Sequence, residues 1–186
     1  MFPETGESKY GATFNRSTPG WLELSRVGCL CSAAEFISPD SAESPIKRKI
    51  RGDASEQGIL RCYESIMGDS AKVREANPKV AEIPFNSSNK YQVSVHDVDK
   101  GGKYLLVMKG APEIVFKRCK TILIDGKDIE IDHKIEEDFL YSNKHLGEQG
   151  ERVLGFCDLN LDPALFPPGF IFDVEDGANF PLSDLR

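Results

Sequence analysis

The chain has 186 residues, 40% hydrophobic and 28% charged, with a net charge of −7. That suffices for one domain with a sizeable core, and the acidic balance argues against a general nucleic-acid binder, which presents a basic face. No apolar run approaches the ~20 residues needed to cross a bilayer, so direct membrane contact is not expected, and the opening MFPETGESKYG lacks the basic and apolar regions of a signal peptide.

Residues 1–17 are polar and Gly-rich and read as a mobile lead-in. Thr18 followed by Pro19 suits a helix start, after which Trp21, Leu24, Val27, Cys31 and Ala34 recur at helical spacing. A polar loop over 38–45 precedes the basic patch Lys47-Arg48-Lys49. Gly52-Asp53-Ala54-Ser55-Glu56 opens a second helix, with Ile59, Leu60, Tyr63, Ile66 and Met67 on its buried side and Gly68 at its end. From Val80 the period shortens from about 3.6 to 2. Tyr91, Val93 and Val95 alternate with polar residues, and Gly101-Gly102 supplies a turn into an apolar strand over 104–108.

A short helix over 112–119 leads to a second hairpin, in which strands 121–124 and 127–131 flank Asp125-Gly126. Asp132 caps a further helix with Ile135, Phe139 and Leu146 inward and Gly147 at its end. Residues 152–161 read as one more strand, followed by a tail rich in Pro, Gly and Phe. Helices alternating irregularly with hairpin-joined strands predict one α+β domain over 1–186 with a mainly antiparallel sheet. The five cysteines are scattered, without zinc-ligand spacing, which suits free thiols in a reducing compartment.

The most informative stretch runs from Tyr104 to Glu113. An apolar strand leads into Lys109-Gly110-Ala111-Pro112-Glu113, where glycine admits close approach to the backbone and proline pre-sets a helix turn. A lysine at the mouth of such a crevice suits a phosphate-bearing ligand; the plainer reading is a strand-to-helix turn. Phe85, at the lip of the polar run Asn86-Ser87-Ser88-Asn89-Lys90, is either a core residue or a platform for a base. Gln92 offers donor and acceptor to adenine's edge, and Lys90 a cation, unless it is simply solvated. Asp53-x-x-Glu56 reads locally as a capping box. Arg152 suits phosphate or ribose oxygens, or a salt bridge with Glu148 or Glu151. Neither a phosphate-binding P-loop nor a Gly-x-Gly-x-x-Gly pattern is present, and no catalytic dyad stands out.

Together these segments closely resemble the nucleotide-binding (N) domain of P-type cation pumps, in the group formed by Na+/K+-transporting ATPase alpha subunits and the related H+/K+ pumps. The matching blocks are GDASE (52–56), VAEIPFNSSNKYQ (80–92), LVMKGAPE (106–113) and GERVLGFC (150–157), with Asn179-Phe180-Pro181 near the end. The resemblance implies a twisted antiparallel sheet flanked by helices. It implies that Phe85 stacks on adenine, Glu56 bonds the adenine amino group, and Ser87 and Gln92 line the base pocket. Lys90 and Lys109 would lie near the ligand, Gly110 would let base or ribose approach the backbone, and Arg152 would reach ribose and phosphates. Cys157 would be packing.

The implied ligand is ATP, with Mg2+ beside its phosphates in the intact pump. The implied partners are the phosphorylation and actuator domains of the same parent chain, and a beta subunit through that parent only. The Asp-Lys-Thr-Gly-Thr motif that such pumps phosphorylate is absent. The expectation is therefore an excised cytoplasmic domain of a plasma-membrane pump, binding but not hydrolysing ATP, with Met1 and Arg186 close together. The alternatives are an independent enzyme, or an interaction module in which KGAPE is merely a turn.

Overall fold

The computed structural model describes residues 5–7, 13–38, 42–175 and 177–186. Strands β1 (Thr5–Glu7) and β2 (Thr13–Asn15) pair antiparallel ahead of helix α1 (Pro19–Leu30). A second small pair, β3 (Glu35–Phe36) and β4 (Ile50–Arg51), precedes α2 (Ala54–Ile66) and α3 (Ser70–Ala76). Then come β5 (Lys79–Ile83), β6 (Tyr91–Asp97), β7 (Tyr104–Gly110) and α4 (Pro112–Phe116). The hairpin of β8 (Thr121–Ile124) and β9 (Lys127–Glu130), helix α5 (His133–Glu148) and strand β10 (Gly155–Asn160) complete the elements. This is the α+β class expected.

The central sheet has four antiparallel strands in the order β10-β7-β6-β5. Side-chain alternation gives it two different faces. On one, Tyr91, Val93, Val95, Leu106 and Met108 pack against Val115 of α4 and against Phe166, Phe180 and Leu185 of the C-terminal segment. On the other, Leu105 and Val107 pack under Val27 and Leu30 of α1. That second face also carries Lys109 and its cross-strand partner Gln92, with Ser94 opposite Val107 and His96 opposite Leu105. All four polar side chains are buried, so each must find an internal partner. The His96 imidazole does so by donating from Nδ1 to the Asn77 carbonyl at 2.9 Å and accepting at Nε2 from the Ser94 hydroxyl at 2.9 Å.

Turn chemistry explains the β8–β9 hairpin. Asp125 and Gly126 both take positive φ, 49° and 77°, as a two-residue hairpin turn requires. Asp132 accepts from the Ile135 N–H at 2.9 Å and caps α5 as expected, although no residue of α5 is fully buried. Its Phe139 stacks on Phe116 at 4.0 Å.

The expected lead-in falls mostly outside the described residues (1–4 and 8–12), as does Met1. Where described, its backbone is the paired β1 and β2. Thr18 stands at the start of α1 but does not cap it; its hydroxyl donates instead to the Asn15 carbonyl at 2.8 Å. Helix α1 ends at Leu30, so Ala34 lies beyond it. The final strand begins at Gly155, leaving Arg152 in the preceding loop. The two-residue strands β3 and β4 and the seven-residue α3 are additions to the sequence reading. Among the described residues, no helix is long and apolar enough to cross a membrane.

Candidate functional site

The C-terminal end of β7, the N-terminus of α2 and the loops after β5 and α5 surround a cleft of about 510 Å³. All eight residues singled out from the sequence line it: Glu56, Phe85, Ser87, Lys90, Gln92, Lys109, Gly110 and Arg152. They come from five segments, and the register Gln92↔Lys109 and Tyr91↔Gly110 places β6 and β7 side by side at its floor.

A charged, fully bonded cluster forms that floor. Lys109 is 7% exposed, so it is not at the mouth as the strand-to-helix pattern predicted. Its Nζ donates to Glu56 Oε1 at 2.5 Å, to Gln92 Oε1 at 3.0 Å and to the Cys31 carbonyl. An ammonium has three donors, and here all three are engaged. Glu56 Oε2 accepts from the Ala33 N–H at 3.2 Å. The glutamate therefore faces α1's exit and Lys109 and does not close a capping box; Asp53 caps α2 alone, accepting from the Ser55 N–H at 2.8 Å. That bond holds the Asp53 carboxyl below its ordinary range. With its oxygen turned to Lys109, Gln92 directs Nε2 to Glu82 Oε1 at 3.0 Å, and Glu82 in turn pairs with Lys79. The Cys31 thiol beside this cluster is pushed up to about 11 by burial, which leaves it neutral packing.

The rim is different. Phe85 is 58% exposed, an apolar ring presented to solvent beside the cleft rather than a core residue. The loop that carries it is built by Asn86, whose side-chain oxygen accepts from the Ser88 and Asn89 N–H groups at 3.0 and 2.7 Å. Lys90 ends the loop at φ +59° and its carbonyl accepts from the Ala111 N–H at 2.9 Å. Ser87, Lys90 and Arg152 are exposed, and among the described residues neither cation forms an ion pair. Among the described residues, Arg152 forms no salt bridge to Glu148 or Glu151.

Gly110 has a reason of its own. A Cβ there would stand 2.4 Å from the Lys90 carbonyl oxygen and 2.7 Å from Tyr91 Cα. The missing side chain admits the neighbouring strand's backbone, and a hydrogen atom is all that fits.

The contributions that sequence reasoning missed are the Cys31 carbonyl, the Ala33 N–H, Glu82 and Asn86. Asn86 carried a signal, since an asparagine before Ser-Ser is an Asx-turn former. The two backbone groups carry none, because any residue supplies them. Among the described residues no group of three His, Cys, Asp or Glu could hold a metal ion.

The sequence that builds this α+β frame and its cleft also matches a known family of domains. The profile of the family described as P-type ATPase, cytoplasmic domain N, matches residues 20–181, and the chain belongs to that family. The chain is 49% identical over 186 residues to the sodium/potassium-transporting ATPase subunit alpha-B of Artemia franciscana. It is 48% identical over 183 residues to the alpha-2 subunit of Homo sapiens and 46% over 183 residues to the alpha subunit of Tetronarce californica. In each case the match takes in 98% of this chain and 18% of the relative, so the chain spans under a fifth of the proteins it resembles.

Proposed function

We propose that this chain is the ATP-binding domain of a Na+/K+-transporting P-type ATPase alpha subunit, holding adenine so that the γ-phosphate reaches an aspartate on a separate domain. The observation that carries the reading is the convergence of the eight residues on one cleft with a graded polarity. The Phe85 face supplies a stacking platform, an interaction of about 1–3 kcal/mol that any base satisfies. Selectivity then falls to the floor. A carboxylate accepts only, and Glu56 retains lone pairs beyond its bonds to Lys109 and Ala33 for an exocyclic amino group. The rim cations Lys90 and Arg152, without an ion pair among the described residues, suit the ribose and phosphate end.

Phosphoryl transfer depends on positioning and charge stabilisation, and the domain's share is positioning. Mg2+ would accompany the phosphates in the intact parent. The phosphorylation domain and the actuator domain are its working partners, the beta subunit being reached only through the parent, and the location is the cytoplasmic side of a plasma membrane. Residues 1–186 act as one nucleotide-binding unit.

The test is an NMR titration with ATP. Phe85 and Gly110 resonances are expected to shift together and saturate, and the Phe85→Ala variant to lose binding by tenfold or more, on the order of 1.4 kcal/mol. An interaction module whose KGAPE is only a turn predicts no localised shift. Sustained ATP turnover by the chain alone would overturn the division of labour, because the phosphorylatable motif is not in this sequence.

A further inference from the structure

The basic patch at 47–49 is not used by the nucleotide cleft, and it follows directly on Ser44-Pro45. Three Ser/Thr-Pro pairs occur in the chain, at Thr18, Ser38 and Ser44, and they differ in ways that decide between them. Three residues beyond the hydroxyl stand Trp21, Ser41 and Lys47 respectively, so only Ser44 has a cation there. The Thr18 hydroxyl is already engaged, donating to the Asn15 carbonyl at 2.8 Å at the start of α1. Ser44 is exposed in the β3–β4 connection, and its hydroxyl makes no hydrogen bond among the described residues. Both neighbours of the Pro45 turn are also accessible, with Ile46 60% exposed and Lys47 exposed.

We propose that Ser44 is a phosphorylation site for a proline-directed serine/threonine protein kinase. Proline at the next position restricts Ser44 to extended backbone, the conformation in which a peptide lies in a binding groove. Lys47 supplies a charge that an acidic residue of the kinase can read. In the reaction, Ser44 Oγ attacks the γ-phosphorus of ATP bound to the kinase. The bond to the β–γ bridging oxygen breaks, ADP leaves, and the hydroxyl proton passes to the kinase's base.

Two cations close in sequence, Lys47 and Arg48, can donate to the new dianion. The Lys47 and Arg48 N–H groups bond the Ser44 carbonyl at 2.8 and 3.2 Å, which keeps both residues beside the modified side chain. The Arg48 side chain is 12% exposed, lies 4.7 Å from the Phe36 ring centroid, donates from Nε to the Glu43 carbonyl at 3.0 Å and reaches Glu64 at 3.5 Å. A phosphate carries close to two negative charges and pairs with a guanidinium in bidentate fashion, so it competes well for that long contact. Glu64 keeps its other bond, from the Ser70 N–H at 2.9 Å. Modification would therefore reorganise the loop while leaving α2 and α3 docked.

The experiment incubates the purified chain with a cyclin-dependent kinase and MgATP and maps phosphate by mass spectrometry. One phosphate per chain is expected, on Ser44, abolished by Ser44→Ala. Lys47→Ala should slow the initial rate by roughly tenfold, the worth of one charge-assisted contact. No incorporation, equal incorporation at Thr18 or Ser38, or a rate indifferent to Lys47→Ala would each overturn the proposal.

Discussion

Lys109 and Glu56 have side chains only 9% and 10% exposed, and neither is satisfied without the other. Removing one partner of such a pair leaves an uncompensated buried charge, which costs about 3–5 kcal/mol. Lys109→Met is accordingly expected to lower the urea midpoint sharply, and the Glu56→Met, Lys109→Met double variant to lose less than the sum of the single losses. Additive losses would mean that the two groups are not coupled. The arrangement also alters how a defect in nucleotide binding at Lys109 is to be understood, since part of it reflects a floor that no longer holds Glu56 in place. His96 offers a second single-residue test. Burial, opposed by the Asn77 bond and reinforced by the Lys79 and Arg74 charges, depresses its pKa below 6.5, with Glu82 pulling weakly the other way. Between the depressed folded value and 6.5 the unfolded chain binds the proton more readily, so stability is complete above that window and is lost as pH falls through it. Urea midpoints measured from pH 7.5 to 5 should therefore fall, and His96→Gln should flatten that part of the slope. Equal slopes in both proteins would rule His96 out as the cause.

At the level of elements, local chemistry was legible where it alone decides the structure. The alternation in β6 and β7, Asp125-Gly126 between β8 and β9, and the Asp132 cap of α5 all follow from spacing and turn residues. Other pieces are held by tertiary contacts and leave no local trace. Helix α3 has seven residues and starts from Asp69 at φ +48°, an unusual cap conformation. What fixes it is Arg74, whose Nε donates to the Cys29 carbonyl at 3.0 Å and Nη1 to the Ala34 carbonyl at 2.6 Å. The same bonds gather the chain leaving α1, where the Cys31 carbonyl and Ala33 N–H meet Lys109 and Glu56. Glu56 shows the limit of local reading in one residue. Its spacing from Asp53 fits a capping box, yet a buried lysine 53 positions away takes the carboxylate. Arg74→Ala removes two charge-assisted bonds, about 3 kcal/mol together at the lower end of their range. It should also weaken ATP binding, because the cleft's back wall loosens; unchanged affinity in the folded fraction would separate α3 from the site.

Across the whole molecule, the cleft and the C-terminal segment occupy opposite faces of the sheet. The sequence shows residues 162–186 as a tail without helical or strand periodicity, and that much is correct, since few regular hydrogen bonds form there. Its aromatic residues are nevertheless half of a core. Phe166, Phe170, Phe172 and Phe180 pack edge-on or stacked among themselves, and Phe172 meets Tyr104 of β7 at 4.9 Å. The last residues then join the sheet's far edge, where Arg186 and Asp158 exchange two backbone bonds and the Arg186 guanidinium grips the Asp158 carboxylate at 2.7 and 2.9 Å. A periodic pattern cannot reveal such packing, because irregular backbone places each phenylalanine individually. The separation of faces has a measurable consequence. Phe180 is 6% exposed and belongs to the core on the face away from the cleft, so Phe180→Ala should cost about 3–5 kcal/mol in a urea melt. ATP affinity of the folded fraction should stay within twofold of the parent chain, roughly 0.4 kcal/mol. A large loss of affinity in protein shown to be folded would mean that the sheet transmits packing changes from one face to the other, and the floor of Lys109, Glu56 and Gln92 would then be the place to look for the displaced bond.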